Sequence, residues 1–422
     1  MTGLVATLLL ALIALLGLGV WVGLALIATG VIGLSLFAET DTLAFLAGDL
    51  WRSLTAPELA ALPLFVLMGE ILNRSRLAEQ LFAGLTPWLR PLPGGLIHSN
   101  VAGCVLFAAV SGSSAATAAT VGRITLPELL KRGYDRRLVI GSLCGAGTLG
   151  FLIPPSIVLI IYGVLAQVSI VKLFIAGILP GLMLAVGYML WIAVAGRRGP
   201  ATPDAGDGAG RLRGLLMLLP VGGLIALVLG SMYLGLAGPT EAAVIGVAGA
   251  LGLAGLQGAL SLARLREALM AALATSSMLG LILAGAFFLS KVAALFQIPA
   301  LAAGAIAGLG LPPLAVIALL LALYILLGMV LDGLSIIVVS LPVALPLVEA
   351  AGFHPLWFGI FLVIAVEMAQ ITPPVGFNLF VVQDLTGERI GAIARAALPF
   401  FLITAALAAI LALFPGLVLW VV

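Results

Sequence analysis

Apolar positions run in unbroken stretches of about twenty residues along the whole chain, and polar residues gather in short clusters between them. Residues 173–194 and 215–236 are two such runs, each as long as a helix must be to cross a hydrocarbon core ~30 Å thick. The short segments of alternating polarity that mark a membrane barrel are missing from the sequence. The pattern predicts an all-α polytopic membrane protein. The first residues show neither a basic cluster nor a small-residue cleavage signal, and their apolar run continues to Phe37, so a retained span is expected there.

A second pattern lies on top of the first. Pro93, Pro127, Pro154, Pro155 and Pro180 each recur 219 residues later, as Pro312, Pro346, Pro373, Pro374 and Pro399. Proline is roughly 5% of an average sequence, so this coincidence marks an internal repeat. Neighbouring residues agree: Leu126-Pro127 matches Leu345-Pro346, and Leu179-Pro180 matches Leu398-Pro399. Positive charge gives the relative orientation, because cytoplasmic loops carry the excess of Lys and Arg. Arg74, Arg76 and Arg90 precede one apolar stretch of the first half, and Lys131, Arg132, Arg136 and Arg137 follow the next, whereas the matching positions of the second half carry no Lys or Arg. The halves are therefore expected to be inverted, residues 1–195 against 214–422. The linker between them, residues 196–213, is polar, rich in Gly and Pro, and carries four arginines that place it in the cytoplasm.

Inverted repeats with broken helices are a common architecture of secondary transporters, which bind substrate near the bilayer midplane. A proline pair removes backbone donors and unwinds a helix, leaving carbonyls free for a cation or a helix end free for a substrate. One pair alone would read equally well as a kink re-satisfied by neighbouring helices. Two pairs at equivalent sites, Pro154-Pro155 and Pro373-Pro374, favour binding. Each half also holds a stretch too interrupted for two full crossings, expected as a re-entrant hairpin: hairpin 1 around residues 94–130 and hairpin 2 around 313–350. Ser111, Ser113, Ser114, Thr117 and Thr120 cluster at the first tip, and Asp332, Gly333 and Ser335 at the second. The hairpins would enter from opposite faces and meet near the middle.

Composition sharpens this picture without changing it. Of 422 residues 63% are apolar and 9% charged, against roughly 25% charged in a soluble domain. The formal net charge of +2 is spread in twos and threes, which suits loop anchors and excludes a nucleic-acid footprint. Cys104 and Cys144 stand alone among apolar residues and read as packing residues. Hydroxyls by themselves are often helix-packing glue, but a mid-membrane carboxylate costs about 2.5–3.5 kcal/mol and needs a partner. For Asp332 that partner is either Lys291, in a structural ion pair, or a bound Na⁺ held by carboxylate, hydroxyl and carbonyl oxygens. Glu367, five residues before Thr372, is similarly costly and is expected to orient the break by accepting backbone or hydroxyl donors. Glu70 is expected to meet a neighbouring helix or subunit, and His98 and His354 to be interfacial. An intramembrane enzyme would need paired aspartates or a nucleophile with its base; no second aspartate occupies a matching span, and neither histidine is near the serine cluster in sequence.

With these residues in view, the chain resembles the large membrane subunit of the tripartite ATP-independent periplasmic (TRAP) transporters. The stretches that carry the resemblance are SGSSAATAATVGRITLPELLKRGYD, CGAGTLGFLIPPSIVLIIYG, LGMVLDGLSIIVVSLPVALPLVEAAGFHPLWFG and VEMAQITPPVGFNLFVV, which run in order from Gly112 or just before it to Val382. The resemblance implies an elevator-type importer of an organic acid, driven by Na⁺ in the inner membrane of a bacterium or archaeon. It implies two protein partners: a soluble periplasmic substrate-binding protein, and a small four-helix membrane subunit expected as a separate polypeptide, since no further four-helix block is evident here. The Na⁺ sites it implies fall on Ser111, Ser113, Gly147, Thr148, Pro154, Asp332, Ser335, Thr372, Pro373, Val375 and Gly376, and the substrate site on Ser113, Ser114, Thr117, Arg123 and Gly333. Two departures stand out: Ala365 replaces an asparagine two residues before Glu367, and Val20-Trp21-Val22 stands where a first-helix proline is expected. A stand-alone Na⁺/anion symporter or antiporter of the same architecture, needing no binding protein, is the alternative.

Overall fold

The computed structural model describes residues 2–197, 208–308 and 310–420, and the regular elements within them are all helices. In chain order they are α1 (Thr2–Gly17), α2 (Val22–Phe37), α3 (Thr42–Leu54), α4 (Ala61–Asn73), α5 (Leu77–Leu89), α6 (His98–Ser111), α7 (Ser114–Lys131), α8 (Arg136–Thr148), α9 (Ile157–Leu165) and α10 (Ile170–Ala195). There follow α11 (Gly208–Tyr233), α12 (Pro239–Leu256), α13 (Leu262–Leu295), α14 (Ile298–Gly308), α15 (Pro313–Leu327), α16 (Gly333–Ala350), α17 (Pro355–Gln370), α18 (Phe377–Thr386), α19 (Ile390–Leu413) and the short α20 (Gly416–Leu419). Residues 198–207 of the polar linker lie outside the described residues, and its last six join α11. Among the described residues, six helices are long and apolar enough to cross a membrane, or seven if the bent pair α3–α4 counts as one span.

The periodicity of 219 residues extends to the elements themselves. Helix α16 has the bounds of α7 shifted by that number, and α8, α9 and α10 correspond to α17, α18 and α19 to within about three residues at each end. The correspondence reaches the N-terminal parts, pairing α1 with α11 and α2 with α12. There the copies diverge: α13 runs 34 residues without a break, whereas its counterpart is split into α3 and α4, which meet at a bend of 57° beside Pro57. The opening apolar run is also split. Gly19 takes a φ of 79° and the chain turns at residues 18–21, so the Val20-Trp21-Val22 stretch is the turn and entry of α2 rather than the interior of one helix.

Packing divides the helices into two groups. Helices α1–α5 and α11–α13 pack mainly on one another, chiefly α2 on α13, α4 on α12 and α13, and α5 on α11, while α14 lies across the boundary, mainly on α16. Helices α6–α10 and α15–α20 form the other group, with α8 and α17 packed on α19 and α7 on α18. Every residue of α17 from Leu356 to Gln370 is buried, as are Leu138–Thr148 of α8 and Ile157–Val164 of α9. The most protected part of the protein therefore surrounds the helix breaks.

Candidate functional site

Four interruptions of helical backbone come together inside the second group. The first is the tip of hairpin 1, where α6 ends at Gly112 in the left-handed conformation (φ 60°) that a Cβ disfavours. The second is the break between α8 and α9, containing Pro154 and Pro155. These two touch: the Ile157 amide donates to the Gly112 carbonyl at 3.4 Å, and a methyl group on Gly150 would lie 2.7 Å from the Ser113 carbonyl. The third is the tip of hairpin 2, whose Gly333 is hemmed in by Val366 of α17 and by Phe151 in the first break. The fourth is the Thr372–Gly376 break; Ala369, one turn before it, abuts Gly328 at the end of α15. Both Pro–Pro bonds, Pro154-Pro155 and Pro373-Pro374, are cis.

Local chemistry explains the tips. Ser113 caps α7, its hydroxyl accepting from the Ala116 amide at 3.4 Å, and Asp332 caps α16, its carboxylate accepting from the amides of Leu334 at 3.1 Å and Ser335 at 3.4 Å. Asp332 also accepts from the Ser335 hydroxyl. Ser111 and Thr117 share a hydrogen bond of 2.8 Å between buried hydroxyls. Thr148 is fully buried and donates to the Gly145 carbonyl at 2.8 Å, and Thr372 donates to the Met368 carbonyl at 2.7 Å. Gly147 lies in the same buried turn as Thr148, against Ala118 of α7.

The two copies are not equally enclosed. All of residues 149–157 are buried, and so are Ser111, Gly112 and Ser114, whereas Pro373, Pro374 and Asp332 are exposed. Arg123 is exposed as well. It stands nine residues beyond the first residue of α7, about 13 Å along the helix from the tip, so the structure does not bring it to the other candidates.

Several polar pairings differ from the sequence-based expectation. Lys291 does not reach Asp332; it pairs with the buried Asp49 of α3, which fixes α3 to α13. Among the described residues, that leaves Asp332 with capping donors and no cationic side chain paired to it. Glu367 is fully buried beside Thr148, but the Thr148 hydroxyl points back to Gly145 and neither carboxylate oxygen of Glu367 accepts a hydrogen bond, so it does not orient the break as expected. Glu70 pairs with Arg74, the residue that follows its own helix. His98 bonds the Pro93 carbonyl at 2.8 Å, and His354 caps α17 by accepting from the Leu356 amide at 3.1 Å. Cys104 and Cys144 are buried and free, as packing residues should be.

One residue was overlooked. Asn378, on α18 two residues past Gly376, is fully buried and accepts from the Ser114 hydroxyl at 2.9 Å. The signal in the sequence was an amide inside the apolar run that follows the proline pair, a position where an unpaired polar group is expensive. The polar oxygens fall in two separate clusters, the Asp332 carboxylate with the Ser335 hydroxyl at one tip and the Ser111 and Thr117 hydroxyls beside Ser113 at the other.

Compared with known proteins, the chain matches the family described as "Tripartite ATP-independent periplasmic transporter, DctM component" over residues 9–417. It is 34% identical over 384 residues to the C4-dicarboxylate TRAP transporter large permease protein of Pseudomonas aeruginosa, covering 89% of this chain and 88% of that one. The ectoine/5-hydroxyectoine TRAP transporter large permease protein of Ruegeria pomeroyi is 32% identical, with 98% of each chain covered. Among solved structures, the YdaH transporter of Alcanivorax borkumensis is similar with a TM-score of 0.66 over 90% of each chain; at 17% identity this is a likeness of fold.

Proposed function

The chain belongs to the DctM component family of the TRAP transporters, as a large permease of the inner membrane, and we propose that it imports an organic acid anion coupled to Na⁺. Members of the family work with a small membrane subunit and a substrate-binding protein, and the proposal includes both partners for this chain. The observation that supports it is that two capped hairpin tips pack against the first of two proline breaks, hairpin 1 through Gly112 and Ile157 and hairpin 2 through Gly333 and Phe151. In this reading residues 1–195 and 214–422 are the inverted repeats, joined by a cytoplasmic linker at 196–213. The group α6–α10 and α15–α20 is the mobile body, and α1–α5 with α11–α13 is the scaffold that it moves past.

Na⁺ fits the residues present. Asp332 supplies charge and Ser335 a hydroxyl at one tip, Ser111 and Ser113 hydroxyl oxygens at the other, and the segments at Gly147, Thr148 and Pro154 and at Thr372, Pro373, Val375 and Gly376 supply carbonyls and one more pair of hydroxyls. The substrate anion would lie between the tips, against Ser113, Ser114, Thr117 and Gly333, where the N-terminal ends of α7 and α16 offer partial positive charge. Arg123, on the exposed face of α7, would draw anions toward the site rather than hold them in it.

Coupling has an energetic reason. Moving a monoanion into a cytoplasm that is negative inside costs about 2.3 kcal/mol at 100 mV, and carrying two Na⁺ with it turns the same ~2.3 kcal/mol into a driving force. The test is uptake into proteoliposomes containing this chain, its small partner and an externally added binding protein, with radiolabelled succinate and radiolabelled ectoine as first probes. Uptake that needs both an inward Na⁺ gradient and the binding protein supports the proposal. Uptake without the binding protein points to the stand-alone carrier, and uptake equal in Na⁺ and K⁺ rejects sodium coupling.

A further inference from the structure

Asn378 links the two repeats beside the second break. Its chain position is two residues beyond Gly376, so it follows any movement of the Thr372–Gly376 break directly. Its side chain, however, belongs to the other repeat. The amide oxygen accepts from Ser114, the first residue of α7 at the hairpin 1 tip, at 2.9 Å, and the amide nitrogen donates to the Cys144 carbonyl of α8 at 3.5 Å. A carbonyl can only accept, so this partner fixes which end of the amide faces α8 and leaves the oxygen for the Ser114 hydroxyl. Gly147 makes room on the third side: a methyl group there would lie 3.2 Å from the amide nitrogen. The site is fully buried, so water cannot replace these partners without opening the packing.

This link has no twin. The residue 219 positions before Asn378 is Leu159, and the counterpart of Ser114 is Gly333, so the first break cannot hold hairpin 2 in the same way. Hairpin 2 meets the first break through apolar contact of Phe151 on Gly333. Neither capping nor helix packing asks for an amide at position 378, since leucine serves at the matching place. We infer that Asn378 is a positioning residue that couples cation occupancy of the second break to the position of the hairpin 1 tip. Ordering of Thr372–Gly376 around a cation draws the start of α18 with it, and the Ser114 bond passes that movement to the tip that holds Ser111 and Ser113.

The inference rests on the sodium reading above, and one experiment separates the two. Binding of ²²Na⁺ is titrated on the full chain with its small partner in nanodiscs, for wild type, Asn378→Leu, Ser114→Ala and the double variant, with thermal midpoints as the control on folding. Wild type is expected to bind more than one Na⁺ cooperatively. Asn378→Leu is expected to lower the Hill coefficient toward 1 and to raise the half-saturating Na⁺ concentration about tenfold, with capacity retained. Ser114→Ala, which removes a single oxygen, should produce the same shift, and the double variant should be no worse than either alone. An unchanged binding curve in a folded Ser114→Ala or Asn378→Leu variant, or additive effects in the double, overturns the coupling role. No specific ²²Na⁺ binding by wild type overturns the sodium reading itself, and with it this inference.

Discussion

Ser113 and Asp332 stand 219 residues apart and do the same structural work: each caps the helix that returns from a hairpin tip, and those helices share their bounds after the shift. Serine and aspartate are nearly equivalent as N-caps. Capping therefore explains both residues but not the difference between them. The charge of Asp332 is surplus to the fold, costly in a membrane, and unpaired with any cationic side chain that the structure brings near it. On the sodium proposal, that surplus charge is what faces the cation.

The twin supplies the cleanest test. Asp332→Ser copies the capping solution of the first repeat while removing the charge, and Asp332→Ala removes both. The serine variant is expected to keep the thermal midpoint of wild type, and the alanine variant to lose about 1 kcal/mol of stability. Both are expected to bind ²²Na⁺ at least tenfold more weakly. If the serine variant binds Na⁺ like wild type, the carboxylate is only a cap.

Glu367 presents the opposite balance of stability and function. It is fully buried with no hydrogen bond to either carboxylate oxygen, a state that burdens the folded protein. Glu367→Leu is expected to raise stability by about 1–3 kcal/mol and to cut uptake at least tenfold, the trade expected where a site stores an unfavourable group. Glu367→Gln keeps the shape; the same loss of uptake there would assign the effect to charge. Thermal midpoints in detergent and initial uptake rates measure the two sides. A stabilised variant with full uptake would show the glutamate to be dispensable.

How much of this was legible in the sequence depended on whether the signal was one-dimensional. The proline pairs, the tips at Ser113 and Asp332 and the fold class could be read because helix breakers, caps and apolar runs act through neighbours in the chain. Pairings across helices could not. Lys291 and Asp49 are 242 residues apart and Ser114 and Asn378 are 264 apart, and nothing local says which of several polar residues will share a depth and a face. The repeat also misled by its regularity. It gave no hint that the first break would be sealed and the second exposed, or that Asn378 would tie the halves by a bond with no symmetric mate.

The Asp49–Lys291 pair should respond unequally to the loss of either partner. The Asp49 side chain is 2% exposed and that of Lys291 41%. Lys291→Ala abandons a buried carboxylate and is expected to cost about 3 kcal/mol, whereas Asp49→Ala leaves an ammonium that reaches water and is expected to cost about 1 kcal/mol. Replacing both, with Asp49→Leu and Lys291→Met, should recover most of the loss. Thermal midpoints of the three variants decide it; equal losses from the two single changes would mean that the pair is solvated like a surface bridge.

Relative motion of the two helix groups can be tested at a contact between them. Thr120 of α7 donates to Asn73 at the end of α4 at 2.7 Å, tying hairpin 1 to the scaffold group. If the groups move past each other during transport, this contact must break in every cycle. A cysteine pair at Asn73 and Thr120, joined by a short bifunctional thiol reagent, is expected to abolish uptake, and a reducible reagent should restore it on cleavage. The matched control is Arg136 with Glu388, a surface pair 2.8 Å apart that joins α8 to the turn between α18 and α19, all within the second group. Cross-linking cysteines there should leave uptake within about twofold of the unlinked variant, because that contact moves as one piece. The native cysteines do not interfere, since both are fully buried. Uptake that survives the Asn73–Thr120 cross-link would mean that hairpin 1 and α4 travel together, and the boundary between scaffold and mobile body would then have to lie on the other side of α4.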